Sequence, residues 1–460
     1  MTHLLFNDIK RSSVILQSEN VGVENWENFF HMALQLAKNS NCSFHLFDLN
    51  QIIQRFLNWN SLLPRVQPYF VHSIQRDPKI AYILGTLGAG FSCASFGECK
   101  DCLLNVPRLQ GHDKIKKEII LSNPFKLPSD MKNCSKLGVT MTTFMCQSEL
   151  DKIKLHWPDA ELLMAVAVNP ELYGHEFTIS KLAAHPDQVE DLVAYTKELD
   201  LNLVGLLCFY GTSYKTVTNW REVPKIASGI IEKMEARGFN IRILSLGDGF
   251  EFIDQENEEH EWLRFQEDLS ALNNELAIYF PYKKGIEIIA QPGKYFTQKS
   301  ELFAFKVMGK RIRNEISDPT SGEIIEKKNA VLIVENSQYI SFNFHRGRGS
   351  NFPNFWLTLS GDLKNLALLD DEKEILATIY GFTCDSLDII SEDILMPEKI
   401  AVGDYLLWVN RGTYSACLMS QFNGMKPPKH FHFISNAMLT KFMELCNINK
   451  KEDLQFNLSE

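Results

Sequence analysis

The sequence lacks a long apolar run. No window of the 460 residues approaches the roughly 20 apolar residues that a membrane-spanning helix needs. It also lacks a basic-then-apolar leader with a small-residue cleavage site. An excess of basic charge is missing as well, since 47 Lys and Arg stand against 57 Asp and Glu, a net charge of −10. We therefore expect a cytoplasmic protein with neither a membrane nor a nucleic acid among its partners.

Cysteine pairs are also scarce. The ten cysteines are scattered, and only Cys99 and Cys102 have CxxC spacing. No second pair and no neighbouring His cluster completes a zinc site, so we expect no metal. We interpret the two residues as reduced thiols on a helix.

Apolar runs and amphipathic segments alternate over residues 46–300. The strand candidates run from FHLFDL (44–49) to IEIIAQPG (286–293), with helical 3–4 spacing between most of them. This βα rhythm predicts an α/β protein with a TIM-like (β/α)8 barrel. A doubly wound sheet is the alternative, but eight such units fit a closed barrel better.

The pattern of apolar and polar residues changes after about residue 300. Runs such as ELFAFKVMGKRI and NAVLIVENSQYISFNF are β-like and separated by turns, which predicts a mostly-β domain over 301–440. We expect the N-terminal segment 1–45 to join that domain. The polar stretch 314–328 is interpreted as an exposed loop, and 441–460 as a short polar tail.

Seven ordered motifs extend along the chain. They are PRVQPYFVHSIQ (64–75), GFSCAS (90–95), SNPFK (122–126), QPGKYF (291–296), GFTCDSLD (381–388), GTY (412–414) and FNG (422–424). Together they resemble the ornithine decarboxylases and their non-catalytic relatives, the antizyme inhibitors. The resemblance implies the fold of the fold-type III decarboxylases, which use pyridoxal phosphate (PLP), and it identifies a degenerate member.

The first motif departs from the family at its reactive residue. Active members hold PLP as a Schiff base on a lysine, and that position falls on Ser73. A hydroxyl cannot form an imine. No lysine occurs between Arg65 and Lys79, so a shift of the alignment by one residue does not supply one.

Other cofactor positions of the family are replaced too. Phe209 stands where a His stacks on the pyridine ring, and Gln291 where a Glu pairs with the ring nitrogen. The triple-glycine phosphate loop reads Gly247-Asp248-Gly249, and its carboxylate should repel phosphate. Three further replacements are Ser92 for an Asp, Ala165 for an Arg, and the mild change of an Arg to Lys294.

The substrate side of the family's site is only partly kept. The resemblance places the proton donor at Cys384, one of two amine-binding carboxylates at Asp385, and a phosphate contact at Tyr414. The second carboxylate position falls on Arg348, where a cation would repel a diamine. We interpret the retained residues as inherited positions of an inactive site.

The resemblance predicts a catalytically impaired homologue that regulates polyamine and putrescine synthesis as antizyme inhibitors do. No cofactor is then expected. Candidate partners are antizyme and ornithine decarboxylase-family subunits, and the matching antizyme-binding positions are Lys126, Lys132, Glu149 and Leu150. A plain solvated helix face is the alternative interpretation of those residues. The alternative function is a divergent PLP-dependent decarboxylase with a substrate other than ornithine.

Overall fold

A computed structural model describes most of the chain. The described residues are 14–17, 26–110, 118–168, 181–209, 221–250, 258–313, 316–317, 324–326, 328–345, 351–358, 360–366, 373–449 and 454. The chain divides into two compact units, a barrel unit of Ile53–Phe296 and a sheet unit of Met1–Ile52 with Thr297–Glu460.

The described strands are numbered in chain order. They are β1 Val14–Gln17, β2 Phe44–Asp48, β3 Val66–Val71, β4 Gly90–Cys93, β5 Ile119–Leu121, β6 Met141–Phe144, β7 Glu161–Ala167, β8 Asn202–Phe209, β9 Ile243–Ser245, β10 Glu287–Ala290, β11 Glu301–Arg313, β12 Ile316–Ser317, β13 Ile324–Glu326, β14 Asn329–Val334, β15 Phe355–Leu357, β16 Leu363–Asn365, β17 Glu374–Tyr380, β18 Ile389–Pro397, β19 Tyr405–Trp408 and β20 Lys429–Ser435.

The described helices are α1 Trp26–Ser40, α2 Leu49–Leu62, α3 Pro78–Leu87, α4 Phe96–Asn105, α5 Pro128–Leu137, α6 Gln147–His156, α7 Val189–Glu198, α8 Val223–Ala236, α9 Glu258–Tyr279, α10 Lys294–Thr297 and α11 Asn436–Leu445. Across the part of the chain that the structure describes, none of them has the length and apolar character that crossing a membrane requires.

The barrel unit closes on eight parallel strands. Their order is β10-β3-β4-β5-β6-β7-β8-β9, and helices alternate with them along the chain. Its interior is filled by apolar side chains from successive strands, among them Tyr69, Ile120, Met141, Leu163 and Ile289. The predicted TIM-like barrel is therefore confirmed.

Local signals set the ends of the barrel helices next to the strand ends. The Asp77 side chain accepts hydrogen bonds from two backbone N–H groups at the start of α3, and the Ser95 side chain accepts one at the start of α4. Helix α5 begins at Pro128, which the first turn tolerates because the N–H that proline lacks would have no partner within the helix there. Gly138 ends α5 with a φ of 94°, in the left-handed region.

The sheet unit is built on a mixed sheet of ten strands. Its main path is β1-β20-β2-β11-β14-β17-β18, with β15, β16 and β19 joined beside it. Phe303, Phe305, Val334, Ile379 and Trp408 are fully buried in its core. The mostly-β C-terminal domain is likewise confirmed.

One strand prediction and one loop prediction were wrong. FHLFDL was counted among the barrel strands, but β2 pairs with β20 and β11 in the sheet unit. All five residues of β2 are buried between those neighbours, and an apolar run carries no information on which sheet it joins. The stretch 314–328 was interpreted as an exposed loop, but its described residues include β12 and β13, which pair antiparallel.

Candidate functional site

A pocket of about 210 Å³ opens at the carboxyl ends of the barrel strands. This is the end at which (β/α)8 barrels carry their sites. Its described lining residues are Val71, Ser73, Ser92, Cys93, Ala94, Ser122, Pro124, Thr143, Ala165, Leu182, Leu207, Phe209, Gly247, Asp248 and Gln291. The predicted positions Ser73, Phe209, Gly247, Asp248 and Gln291 thus come together in one cavity.

Ser73 lies at the end of the first barrel strand. It sits in a single 3₁₀ turn, His72–Ile74, directly after β3, and it is partly buried in the pocket wall. The neighbouring His72 does not line the pocket. It is fully buried near Phe70 and Phe91, and burial lowers the pKa of its imidazole. The pocket-facing residue of this turn is therefore the hydroxyl.

No lysine is present among the described lining residues. The nearby Lys126 is fully engaged: its Nζ lies 2.8 Å from Glu149 Oε1 and donates to Thr143 O at 2.6 Å and Asn123 O at 3.0 Å. An ammonium has three N–H donors, so all of them are used. Lys126 cannot replace the missing imine lysine without breaking these contacts.

The Gln291 side chain is held by serines. Its Oε1 accepts from Ser92 Oγ at 3.0 Å and from Ser122 Oγ at 3.1 Å, while its Nε2 donates to Ser245 Oγ at 3.3 Å. Ser92, Ser245 and Gln291 are all buried. The network fixes a neutral amide at the position where the family's Glu would face a ring nitrogen.

The loop after β9 contains Gly247-Asp248-Gly249, the altered form of the family's triple-glycine motif. Gly247 has a φ of 68°, and a Cβ there would lie 2.2 Å from Cys208 O, so only glycine fits. Gly249 has a φ of 103°. Between them Asp248 lines the pocket and brings a carboxylate to the wall where a phosphate cradle would need N–H donors and positive charge.

Three of the four predicted partner-binding residues are buried. Lys126, Glu149 and Leu150 are 3%, 0% and 0% exposed, and only Lys132 on α5 is exposed. Glu149 lies 2.5 Å from Lys152 Nζ in addition to its contact with Lys126. The prediction that Lys126, Glu149 and Leu150 offer a contact surface was wrong, because their side chains stabilise the interior between α5 and α6.

The retained family residues Cys384, Asp385 and Tyr414 belong to the sheet unit. Cys384 is exposed, and its backbone N–H donates to Asn423 Oδ1 at 2.9 Å. Asp385 accepts from Tyr339 Oη at 2.5 Å. The Tyr414 ring lies 4.6 Å from that of Phe344, and its φ is 54°. Arg348 lies outside the described residues.

The sequence interpretation missed Ser122, Thr143 and Ser245. Each stands at or near the carboxyl end of a barrel strand, which is the signal that could have identified them. Among the described residues, no group of His, Cys, Asp and Glu is arranged to hold a metal ion.

Two family models match the chain. The pyridoxal binding domain of the pyridoxal-dependent decarboxylases matches residues 49–298, and their C-terminal sheet domain matches residues 323–412. The chain belongs to this family. Ornithine decarboxylase of Rattus norvegicus is 28% identical over 402 residues, covering 86% of this chain and 81% of the relative. Antizyme inhibitor 2 of Xenopus laevis is 27% identical over 394 residues, covering 85% and 80%.

Solved structures of this decarboxylase family share the fold. Arginine decarboxylase of Paramecium bursaria Chlorella virus superimposes with a TM-score of 0.70 at 21% identity, covering 89% of this chain and 99% of that one. Lysine/ornithine decarboxylase of Vibrio vulnificus, complexed with putrescine, gives a TM-score of 0.69 at 20% identity, covering 89% and 98%.

The family implies PLP, and the described lining residues of this pocket do not fit it. The described lining offers no lysine for an imine, no cation for the phosphate and no carboxylate at the Gln291 position. Its charged side chain is Asp248, of the same sign as phosphate. The family fold is therefore kept, while the groups that would hold and activate the cofactor are replaced in the described part of the site.

Proposed function

We propose that this member of the decarboxylase family is catalytically impaired and regulates polyamine synthesis by binding antizyme in the cytoplasm. One observation carries the proposal: Ser73 lines the pocket at the imine position, and no lysine stands among the described lining residues. Without a lysine at this position the pocket cannot hold the cofactor covalently, and the protein surface remains as the part that can act on a partner.

The relatives support both functions about equally. Ornithine decarboxylase of Rattus norvegicus and antizyme inhibitor 2 of Xenopus laevis differ by one percentage point in identity to this chain. Overall similarity therefore does not discriminate between an enzyme and a regulator. The discrimination comes from the pocket chemistry.

The partner-binding face we propose is the exposed part of the segment that resembles the antizyme-binding element. Phe125 and Leu127 are 48% and 65% exposed just before α5, and Lys132 is exposed on the helix itself. Exposed large apolar side chains beside a cation are typical of a protein contact with an apolar centre and a polar rim. Lys126 does not belong to this face, because it is buried.

The test is a measured affinity for purified antizyme, with the full chain immobilised. We expect Leu127→Asp and Lys132→Glu each to weaken binding by at least about tenfold, which corresponds to about 1.4 kcal/mol. The matched control is Lys225→Glu, another exposed lysine, which lies on α8, three strand intervals away around the barrel. Equal affinity of all three variants for antizyme would refute the assignment of this face. If the unaltered chain captured no antizyme, the proposed function itself would be refuted.

The alternative enzyme function has its own readout. Release of CO₂ from ornithine, lysine or arginine by the purified chain with added PLP would favour a divergent decarboxylase. We expect no release above a protein-free control. Co-purification with ornithine decarboxylase subunits in place of antizyme would point to regulation through mixed dimers.

A further inference from the structure

A second pocket, of about 220 Å³, lies on the ten-stranded sheet and is called the sheet pocket below. Its lining residues come from the four neighbouring strands β11, β14, β17 and β18. The polar ones are Arg311, Arg313, Asn329, Thr378, Tyr380 and Asp393. A volume below the roughly 300–1,000 Å³ of sites for drug-sized ligands suits a small molecule.

The strand register brings these polar side chains to one face of the sheet. Along β14 and β17, fully buried side chains alternate with less buried ones, and the core residues occupy the buried positions. Arg311 lies opposite Val331, and Val331 lies opposite Thr378, in one row across three strands. Arg313 lies opposite Asn329 in the next row. Residues that are directly opposite share a face, so this group faces away from the core.

Four side chains of the sheet pocket have unused hydrogen-bond donors. Within the described part of the chain, the side chains of Arg311, Asn329, Thr378 and Tyr380 make no hydrogen bond and no ion pair. Arg313 already interacts with another group, which leaves Arg311 as the cation open to a ligand. A guanidinium, an amide and two hydroxyls thus line one pocket, and all of them can donate to the same acceptor.

An oxyanion matches this set of donors. Ionised carboxylates and phosphates only accept hydrogen bonds, and the planar guanidinium fork binds either of them through two parallel bonds. The acidic lining residue, Asp393, lies on β18, three strand intervals from β11. At about 4.8 Å an interval, the two strands are roughly 14 Å apart along the sheet. Asp393 therefore leaves the Arg311 side of the pocket free for a negative group.

We propose that the sheet pocket binds a small organic oxyanion, a carboxylate or a phosphate ester on a short apolar stem. Arg311 and Asn329 donate to the oxyanion, and the stem lies against Val331 and the partly exposed Leu376. The proposal does not depend on antizyme binding, because the face proposed for antizyme belongs to the barrel unit and the sheet pocket to the sheet unit.

Small molecules that differ in charge test the ligand class. Pentanoate, butyl phosphate and pentan-1-ol are titrated separately into the full chain at pH 7, with saturation-transfer NMR as readout. We expect at least one of the two anions to bind, and tighter binding of pentanoate or of butyl phosphate identifies the carboxylate or the phosphate ester as the preferred group. Absence of binding by both anions at about 10 mM, a very weak affinity for a specific site, would overturn the proposal.

Two variants with opposite expected effects test the residues. Arg311→Gln removes an exposed cation, so we expect at least fivefold weaker anion binding, unchanged binding of pentan-1-ol and an unchanged unfolding midpoint. The matched control is Arg264→Gln, an exposed arginine on α9, which should leave anion binding unchanged. Asp393→Asn removes the acidic group, and asparagine tolerates the φ of 53° at this position as aspartate does.

The Asp393→Asn variant should bind the anion about twofold more tightly in about 10 mM salt, where the screening length of about 30 Å spans the pocket. Unchanged anion affinity of the Arg311→Gln variant would place the anion elsewhere on the protein and overturn the proposal. Weaker binding by the Asp393→Asn variant would contradict it as well.

Discussion

The buried ion pair between Lys126 and Glu149 gives the sharpest stability prediction. The side chains are 1% and 0% exposed, and the carboxylate also accepts from the Lys126 backbone N–H at 3.1 Å. Glu149→Gln keeps the shape but removes the charge, which leaves the ammonium buried with two backbone carbonyl acceptors, Thr143 O and Asn123 O. Breaking a buried pair on one side costs about 3–5 kcal/mol.

That cost is a large part of a typical folding free energy of about 5–15 kcal/mol. The measurement is urea unfolding followed by far-UV circular dichroism, in which the midpoint falls while the slope stays unchanged. The double variant Lys126→Met with Glu149→Gln should regain much of the loss, because no fully buried charge then remains unpaired. Lys152, the second partner of Glu149, is 34% exposed and keeps its contact with water. As a control, Glu190→Gln alters the exposed pair with Lys233 and should leave the midpoint in place.

A loss below about 1 kcal/mol for Glu149→Gln would refute this reasoning, and so would a double variant less stable than the single one. The result also bears on partner binding. A charge reversal at Lys126 would act through the fold, so weakened antizyme binding in that variant would say nothing about a contact.

Three further predictions follow from other residues. Burial raises the pKa of Asp48 from its ordinary 3.8 to about 6, so the folded chain holds a proton that the unfolded chain releases, and stability falls as pH rises from about 4 to about 6. The Asp48→Asn variant should not show that fall. Its free energy of unfolding, measured with urea, should equal that of the unaltered chain at pH 4 and exceed it at pH 7 by up to roughly 3 kcal/mol, since a pKa shift of about two units corresponds to roughly 1.36 kcal/mol per unit. Gly247→Ala should lower the free energy of unfolding by more than about 1 kcal/mol. In the same assay Gly229→Ala on α8, where there is open space for a Cβ, should leave the stability unchanged or raise it. Ser73→Lys should give no CO₂ release from ornithine with added PLP, because the Asp248 carboxylate and the Gln291 amide remain; turnover by this variant would contradict the account.

The fold could be predicted from the sequence because its signals are local. The period of apolar residues, the Asp77 cap and Gly138 at a helix end each act within a few residues of the chain. The same reasoning could not assign β2 to a sheet, since its partners β11 and β20 are distant in sequence.

The site could be predicted only in part, for a related reason. Matching motifs identified Ser73, Asp248 and Gln291 as altered positions, and the structure brings them into one pocket. A sequence motif does not show whether a side chain is exposed. Lys126 was therefore taken for a surface residue, although its partners Glu149 and Thr143 enclose it. The serines that fix Gln291 come from three separate strand ends, which only the closed barrel places together.

The most direct test of the central claim is a competition assay. Purified ornithine decarboxylase is inhibited with antizyme, the full chain is titrated in, and CO₂ release from ornithine is followed. The account predicts that decarboxylase activity returns in proportion to the added chain, that Leu127→Asp restores less, and that the chain alone releases no CO₂. Activity that stays inhibited at saturating chain, or CO₂ released by the chain alone, would contradict the account.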